Sequence, residues 1–199
     1  MMLAELLAAP GVREESVLRS RFGLMAFHGG SLEEMTDVIA AEVAARSGAS
    51  YYGLLQPHDL QWHIPSHKVT PADSPTMATF LDHVDIVVTV HGYGRHTLFT
   101  ALLLGGTNRP LAEHIAPYLC RHLPAYDIRT DLETIPADLR GQHPDNPVNL
   151  PRQRGVQIEL PPRVRGSSPL WWDWEGPGPT PHTEALITGL AEAVSAWNL

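Results

Sequence analysis

Five short apolar segments along the chain have the composition of buried β-strands. Between them, apolar residues recur every three or four positions, which is the spacing of one face of a helix. The strand-like segments are residues 22–27, 50–55, 85–90, 97–104 and 156–160, and all are apolar enough to be buried on both faces. This alternation predicts an α/β fold with three layers, in which a mixed, mostly parallel sheet lies between helices.

The helical segments have recognisable ends. Ser31 followed by Glu34 is the pattern of a capping box, and the helical spacing then continues to Gly48, which places Glu33 in the first helical turn. Three further helices are predicted from near Pro75, from Pro110 toward Leu123 with Asn108 as the cap, and over about residues 183–197. Two long proline-rich loops remain, residues 56–75 and 161–181, and such loops are typically functional or mobile.

Length and composition limit the classes of protein. The 199 residues suit a single catalytic domain without internal repeats, and no apolar run approaches the roughly 18 residues that a membrane span needs. A net charge of -8 with only 14 Lys and Arg residues excludes a general nucleic-acid binder. One cysteine, Cys120, excludes an internal disulfide, and the first residues lack the basic start of a secretory signal, so we expect a cytoplasmic location. The oligomeric state stays open, and a monomer is compatible with the sequence.

Three polar residues come where strand-like segments end. They are His28 in AFHGGSLEE, His91 in VVTVHGYGR and Glu159 in GVQIELPPR. Carboxyl ends of parallel strands meet at one edge of a sheet, where α/β proteins build their sites. The glycine turn after His28 lets Glu33 point into the same cleft, and a histidine with a carboxylate is two thirds of a His₂Glu zinc site. The pattern therefore indicates a metal-assisted hydrolase.

Each of these residues also has a purely structural interpretation. A histidine at a strand end can simply satisfy its own hydrogen bonds, and Glu33 can favour the helix dipole. Glu159 can pair with a nearby arginine, although a carboxylate in an apolar strand is costly unless it is paired or used. A competing metal cluster lies in the first long loop, where ligands are held less well than on strands; its members are His58, Asp59, His63 and His67.

Five arginines surround these motifs in an otherwise acidic chain: Arg95, Arg152, Arg154, Arg163 and Arg165. A guanidinium can bind a carboxylate through two hydrogen bonds, or polarise a carbonyl that gains charge during a reaction. We expect Arg95 to act in catalysis. Arg154 is expected to contact the substrate, with Asn149 and His63 as further polar contacts. The alternative for any of these arginines is solvated surface.

Five sequence runs, taken in order, are similar to motifs of the poly-γ-glutamate hydrolase family: AFHGGSLEEMTDVIA, HIPSHKVTPADSP, VVTVHGYGR, LLLGGTNRPLAEHIAPYL and RGVQIEL. The resemblance implies a fold like that of zinc carboxypeptidases. It also implies one zinc ion held by His28, Glu33 and His91, with Glu159 as the general base and a γ-glutamyl or other peptide-like substrate.

Two other functions fit the same residues. One is a deacylase of small N-acyl or N-formyl amino acids, for which a closed pocket rather than an open groove is expected. The other is a non-catalytic binding protein with a structural metal, although such a metal normally has four protein ligands.

Overall fold

A seven-stranded mixed sheet forms the centre of the molecule, in a computed structural model that describes residues 2–198. Its strands are β1 (Arg13–Val17), β2 (Phe22–Gly30), β3 (Ser50–Gln56), β4 (Ile86–Gly92), β5 (Ala101–Leu104), β6 (Asp127–Arg129) and β7 (Gly155–Leu160). The order across the sheet is β1-β3-β2-β4-β7-β5-β6. Strands β2, β3, β4 and β7 are parallel, whereas β1, β5 and β6 run the other way. The prediction of a mixed, mostly parallel sheet is confirmed.

Helices cover both faces of this sheet. They are α1 (Leu3–Leu7), α2 (Thr36–Ser47), α3 (Pro75–His83), α4 (Arg109–His122), α5 (Pro162–Arg165) and α6 (Pro181–Ala196). Helices α2, α4 and α6 pack on one face in the larger apolar core, and α1 and α3 pack on the other face in a second core. The fold therefore has the three layers that the sequence predicts. Within residues 2–198, no helix combines the length and the apolar character that crossing a membrane requires.

All five predicted strands are present, but the sequence missed two others. Strands β1 and β6 lie at the two edges of the sheet and are largely exposed, so they lack an apolar pattern. The fourth predicted strand is also shorter than expected. It begins at Ala101, because His96–Leu98 forms a 3-10 turn.

The predicted start of the first long helix is wrong. Helix α2 begins at Thr36, its N-cap is Met35 in the left-handed region at φ 72°, and no capping box forms. The Ser31 hydroxyl instead donates to the carbonyls of Pro57 and Leu60 in the long loop after β3. Glu33 therefore lies in a turn before the helix rather than in its first turn. The other three predicted helices are confirmed, with Asn108 capping α4.

Alternation along the central strands decides which face of the sheet carries the polar residues. In β4, Val88 and Val90 point into the larger core, whereas Thr89 and His91 lie on the opposite face. Strand β7 alternates in the same way and turns Glu159 to the face that His91 occupies. Loops rather than a helix cover this part of the sheet.

Candidate active site

A crevice opens at the carboxyl edge of the sheet, between β2 and β4. The ladder between these strands ends at Met25 and Thr89, while β4 continues to pair with β7 as far as Gly92. The chain passes from β2 to β3 on one side and then returns to β4 on the other side, so the strand order reverses here. Open α/β sheets bind their ligands at this kind of crevice.

A β-bulge in β2 directs His28 toward the crevice. Ala26 pairs with Gly53 and Gly29 pairs with Leu55, so β2 carries one residue more than β3 over this stretch. A bulge bends its strand and changes the direction of the side chains near it. His28 is buried, with 3% of its surface exposed, and its Nε2 donates to the carbonyl of Ile64 at 2.9 Å. Its Nδ1 is therefore the atom that faces the crevice.

The turn after β2 brings the Glu33 carboxylate against both histidines. The backbone N–H of Glu33 donates to the carbonyl of His28 at 3.0 Å, which closes the turn. Glu33 Oε1 then lies 2.9 Å from Nδ1 of His28, and Oε2 lies 3.3 Å from Nδ1 of His91. Oε2 also accepts from the N–H of Gly92 at 2.9 Å, which is a donor that the interrupted β2–β4 ladder leaves free.

The chemistry of these three side chains fits a divalent metal ion. Because a carbonyl only accepts, the proton of neutral His28 sits on Nε2, so a lone pair on Nδ1 faces the Glu33 carboxylate and positive charge, from a second proton or from a metal ion, belongs between them. His91 contributes Nδ1, while its Nε2 is buried without a hydrogen-bond partner among the described residues. One ligand atom from each residue lies within 4.8 Å of the others, and two imidazoles with a carboxylate are the ligand set of many catalytic zinc sites.

The electrostatics of this group follow from burial and proximity. Burial opposes ionisation of Glu33, but the two histidines outweigh it and hold the pKa of Glu33 far below its ordinary value. For His28, burial lowers the pKa, yet the Glu33 carboxylate more than offsets this and leaves the pKa of His28 raised. Positive charge is therefore stabilised at the point where the three side chains meet.

Glu159 lies beside this group on β7, paired in register with His91. Only 4% of its surface is exposed, and burial raises the pKa of Glu159 to about 7. The nearby His91 opposes the shift and Glu33 adds to it. A carboxyl group whose pKa is close to neutral can take up and release a proton under ordinary conditions, which suits general acid–base chemistry.

Two buried amides hold Glu159 in place. Gln157 Nε2 donates to Glu159 Oε1 at 2.8 Å, and Asn146 Nδ2 donates to Gln157 Oε1 at 2.8 Å. Asn146 is itself fixed, because it caps the 3-10 turn Pro147–Asn149 through the N–H of Val148. The sequence analysis missed both amides. Gln157 gave a signal that could have been used, since it lies two residues before Glu159 and therefore on the same face of the strand.

A cleft of about 740 Å³ lies above these residues. Its buried floor contains His28, His91 and Glu159, and its walls come from two loops. The first is the long loop after β3, which contributes His63, Pro65, Ser66 and His67. The second lies between Ala137 and Asn146, where all residues except Arg140, Pro144 and Asp145 line the cleft. The expectation that the first long loop takes part in the site is consistent with this placement. The second predicted loop, residues 161–181, contributes no lining residue among those described.

The other predicted site residues are placed differently. His63 lines the cleft, and its ring centroid lies 4.8 Å from that of His28. Arg95 reaches only the rim, where it pairs with Asp138. Arg154 is exposed just before β7, at the opposite end of that strand from Glu159. Asn149 accepts from Thr107 and donates to the carbonyls of Gly141 and His143, so it supports two residues of the cleft wall but does not line the cleft itself. The structure therefore does not bring Arg154 or Asn149 to the cleft.

The competing cluster of the first long loop is not assembled as a metal site. Its four members were His58, Asp59, His63 and His67. Among residues 2–198, the group of three whose ligand atoms converge is instead His28, Glu33 and His91. His63 and His67 line the cleft, whereas His58 and Asp59 do not.

Gly30 is expected to be essential for the turn that delivers Glu33. Its φ is +70°, and a Cβ there would lie 2.3 Å from the carbonyl oxygen of Gln56. We expect Gly30→Ala to lower the free energy of unfolding by about 3 kcal/mol or more, because the left-handed backbone costs about 1 kcal/mol or more and the clash adds to it. Urea denaturation measures the loss.

Gly48 provides a matched control for that substitution. Its φ is +72°, but nothing lies within 4 Å of the added Cβ, so Gly48→Ala tests the backbone strain alone. If Gly30→Ala and Gly48→Ala lowered the free energy of unfolding equally, the close contact at Gly30 would have no effect on stability.

The fold is similar to that of carboxypeptidase-like structures. A putative carboxypeptidase from Burkholderia mallei is similar, with a TM-score of 0.52 and 12% identity over 98% of this chain and 66% of that chain. The chain belongs to the poly-gamma-glutamate hydrolase family, whose model matches residues 4–168. It is therefore a hydrolase that acts on amide bonds, and both the predicted family and the predicted type of fold are confirmed.

Two other solved structures resemble nearly the whole chain. A bacteriophage poly-gamma-glutamate hydrolase has a TM-score of 0.77 and 20% identity, covering 95% of this chain and 91% of that chain. The zinc-free apo form of a protein named YNDL has a TM-score of 0.75 and 18% identity, covering 96% and 94%. No curated protein sequence matches the chain.

Proposed function

We propose that the protein is a zinc-dependent amidohydrolase that cleaves γ-glutamyl amide bonds. The observation that carries this proposal is the convergence of His28, Glu33 and His91 beside Glu159, a buried acid whose pKa is about 7. Membership of the poly-gamma-glutamate hydrolase family supports the substrate class. The zinc-free form described for YNDL supports zinc as the metal of a similarly folded protein.

The proposed zinc ligands are His28, Glu33 and His91. Three protein ligands leave a position for water or substrate, as in catalytic zinc sites. A bound zinc ion would supply Lewis acidity, which lowers the pKa of water toward about 7 and polarises the scissile carbonyl. The hydrogen bond from His28 Nε2 to Ile64 orients the imidazole for this role.

Glu159 is the proposed general base. The Gln157 amide engages Oε1, which leaves Oε2 as the oxygen available to a water in the cleft. Glu159 would take a proton from the attacking water and then pass it to the leaving nitrogen, so that one carboxylate serves both halves of the reaction. Exclusion of bulk water around the carboxylate strengthens its electrostatic interactions with the reacting groups.

The cleft has the size of a ligand site. Its volume of about 740 Å³ lies within the usual range of about 300–1,000 Å³, and the exposed side chains of His63, His67 and His143 leave its rim open to solvent. An open rim suits a substrate that continues beyond the cleft, as a γ-linked chain does.

Metal analysis and a substrate panel test this function together. We expect about one zinc per chain, hydrolysis of γ-glutamyl oligomers, and loss of turnover after chelation that added Zn²⁺ restores. The panel includes α-linked peptides and N-acyl amino acids. Turnover that is unchanged by chelator would exclude a metal-dependent reaction. Preference for N-acyl amino acids would identify the substrate as a small molecule instead of a γ-glutamyl chain.

Substitution of Gln157 tests the positioning of Glu159. We expect Gln157→Leu to lower kcat by about tenfold or more with little change in KM, because a hydrogen bond to a charged group is lost while the substrate-binding walls remain. Gln153→Leu is the control, since Gln153 lies at the other edge of the sheet and its backbone N–H bonds to Asp85. A matching rise in KM, or loss of zinc, would contradict a specific effect on the base.

A further inference from the structure

The cleft is acidic, and few of its side chains can attract an anion. Glu33, Glu159 and Asp138 bring carboxylates to it, and no Lys or Arg lines it in the part of the chain that the structure describes. Arg95 at the rim is paired with Asp138. Apart from the two proposed zinc ligands, the basic side chains of the lining are histidines: His63, His67 and His143. A γ-glutamyl substrate carries a carboxylate next to the bond that is cleaved, so the cleft needs a place for that charge.

His67 and His143 meet where the two loops that wall the cleft come together. Their ring centroids lie 4.8 Å apart with an angle of 33° between the planes, so the two imidazoles are in contact but tilted. His67 lies in the 3-10 turn Ser66–Lys68 after β3, and His143 lies in the loop before β7. Two imidazoles in contact can each turn an N–H donor toward the same carboxylate, whose two oxygens can accept both.

The backbone around His143 fixes which nitrogen is available. Nδ1 of His143 accepts the N–H of Asp145 at 3.2 Å, so the proton of the neutral ring is on Nε2. The carbonyl of His143 accepts from Asn149 Nδ2 at 2.9 Å and from the N–H of Asn146 at 3.1 Å, which anchors the loop. Nε2 of His143 is thus an N–H donor in both the neutral and the protonated ring. A donor suits an anion, whereas a metal ion would need a lone pair.

We propose that His67 and His143 form a carboxylate-binding subsite that holds the free carboxylate of a γ-glutamyl residue in the cleft. This inference rests on the proposed function, because it assigns the part of the γ-glutamyl substrate that the cleft recognises. The pair lines the same cleft as the proposed zinc ligands, so one substrate can contact both. The subsite acts in binding and selects substrates that keep a free carboxylate.

The test compares two ligands of equal length. One is tri-γ-glutamate, and the other is the same chain with its side carboxylates converted to amides. Calorimetry measures both dissociation constants on zinc-loaded Glu159→Gln protein, in which turnover does not consume the ligand. We expect the anionic ligand to bind more tightly, and His67→Gln or His143→Gln to weaken its binding by about tenfold or more while the amidated ligand is unaffected. His58→Gln is the control, an exposed histidine of the same loop that does not line the cleft.

Several results would overturn the subsite. The first is equal affinity of the wild-type pair for the two ligands, and the second is no loss of affinity in either histidine variant. The third is the same loss of affinity for both ligands, which would indicate that the substitution changes the shape of the cleft. A second zinc per chain that disappears in His67→Gln would identify the pair as a metal site instead. The binding measurement is independent of turnover. If the wild-type protein fails to cleave γ-glutamyl bonds but the charge preference remains, the proposed function fails and the subsite stands; the reverse result removes only the subsite.

Discussion

Replacing Glu159 by glutamine is expected to lower kcat by about two to four orders of magnitude while zinc stays bound. Glutamine keeps the shape of the side chain and can still accept the hydrogen bond that Gln157 donates, but it cannot take a proton from water. Glu159 is buried, and burial raises its pKa to about 7, so the wild-type carboxyl can exchange a proton near neutral pH. Steady-state kinetics on γ-glutamyl oligomers, together with metal content, measures the effect.

Glu192→Gln is the matched control for this substitution. Glu192 lies on α6, where it pairs with Arg121 and His122 far from the cleft, and it is well exposed. We expect its removal to leave kcat and zinc content unchanged. Near-normal turnover by Glu159→Gln with zinc still bound would show that another group accepts the proton.

The strands that carry the site residues were predictable because each strand is recognisable from its own short sequence. A β-strand buried on both faces reads as an unbroken apolar run, so a polar residue at its end stands out, as His91 and Glu159 do. Parallel strands then bring these ends to one edge of the sheet without any further information. The edge strands β1 and β6 were missed for the opposite reason, since exposure leaves their sequences polar.

The path from His28 to Glu33 was not predictable in the same way. Leu32 and Met35 continue the helical spacing of α2, yet Met35 takes a left-handed conformation and the helix begins only at Thr36. The turn is held by contacts from elsewhere in the fold, including the carbonyls that Ser31 meets in the loop after β3. The spacing of apolar residues reflects a local preference for helix, and here contacts from elsewhere in the fold override that preference.

Closeness in sequence does not by itself place a side chain at the cleft. Arg154 lies five residues before Glu159. At about 3.3 Å per strand residue, it is roughly 16 Å away, near the other end of the same strand. His67 and His143 are far apart in sequence and meet in space. Pairs that form between loops leave no periodic pattern, so one sequence cannot indicate them.

Replacing Glu33 by glutamine is expected to lower zinc affinity by about 100-fold or more, so that dialysed protein loses its zinc and has no turnover. Loss of a group that merely supports a ligand already costs about 10–100-fold in affinity, and Glu33 is a proposed ligand. Its carboxylate lies between Nδ1 of His28 and Nδ1 of His91, and its pKa is held far below the ordinary value, so it supplies the negative charge of the group. An amide removes that charge and places N–H donors where the metal would lie.

The variant should still fold, because the glutamine carbonyl can accept the N–H of Gly92 that Glu33 accepts at 2.9 Å. Thermal unfolding in the presence of chelator compares the two folds without zinc, and elemental analysis after dialysis gives the zinc per chain. Glu34→Gln is the control, since it makes the same change one residue away on an exposed side chain. Full zinc content in Glu33→Gln would remove Glu33 from the ligand set. Zinc loss with turnover intact would separate the metal from the reaction and leave Glu159 to act without it.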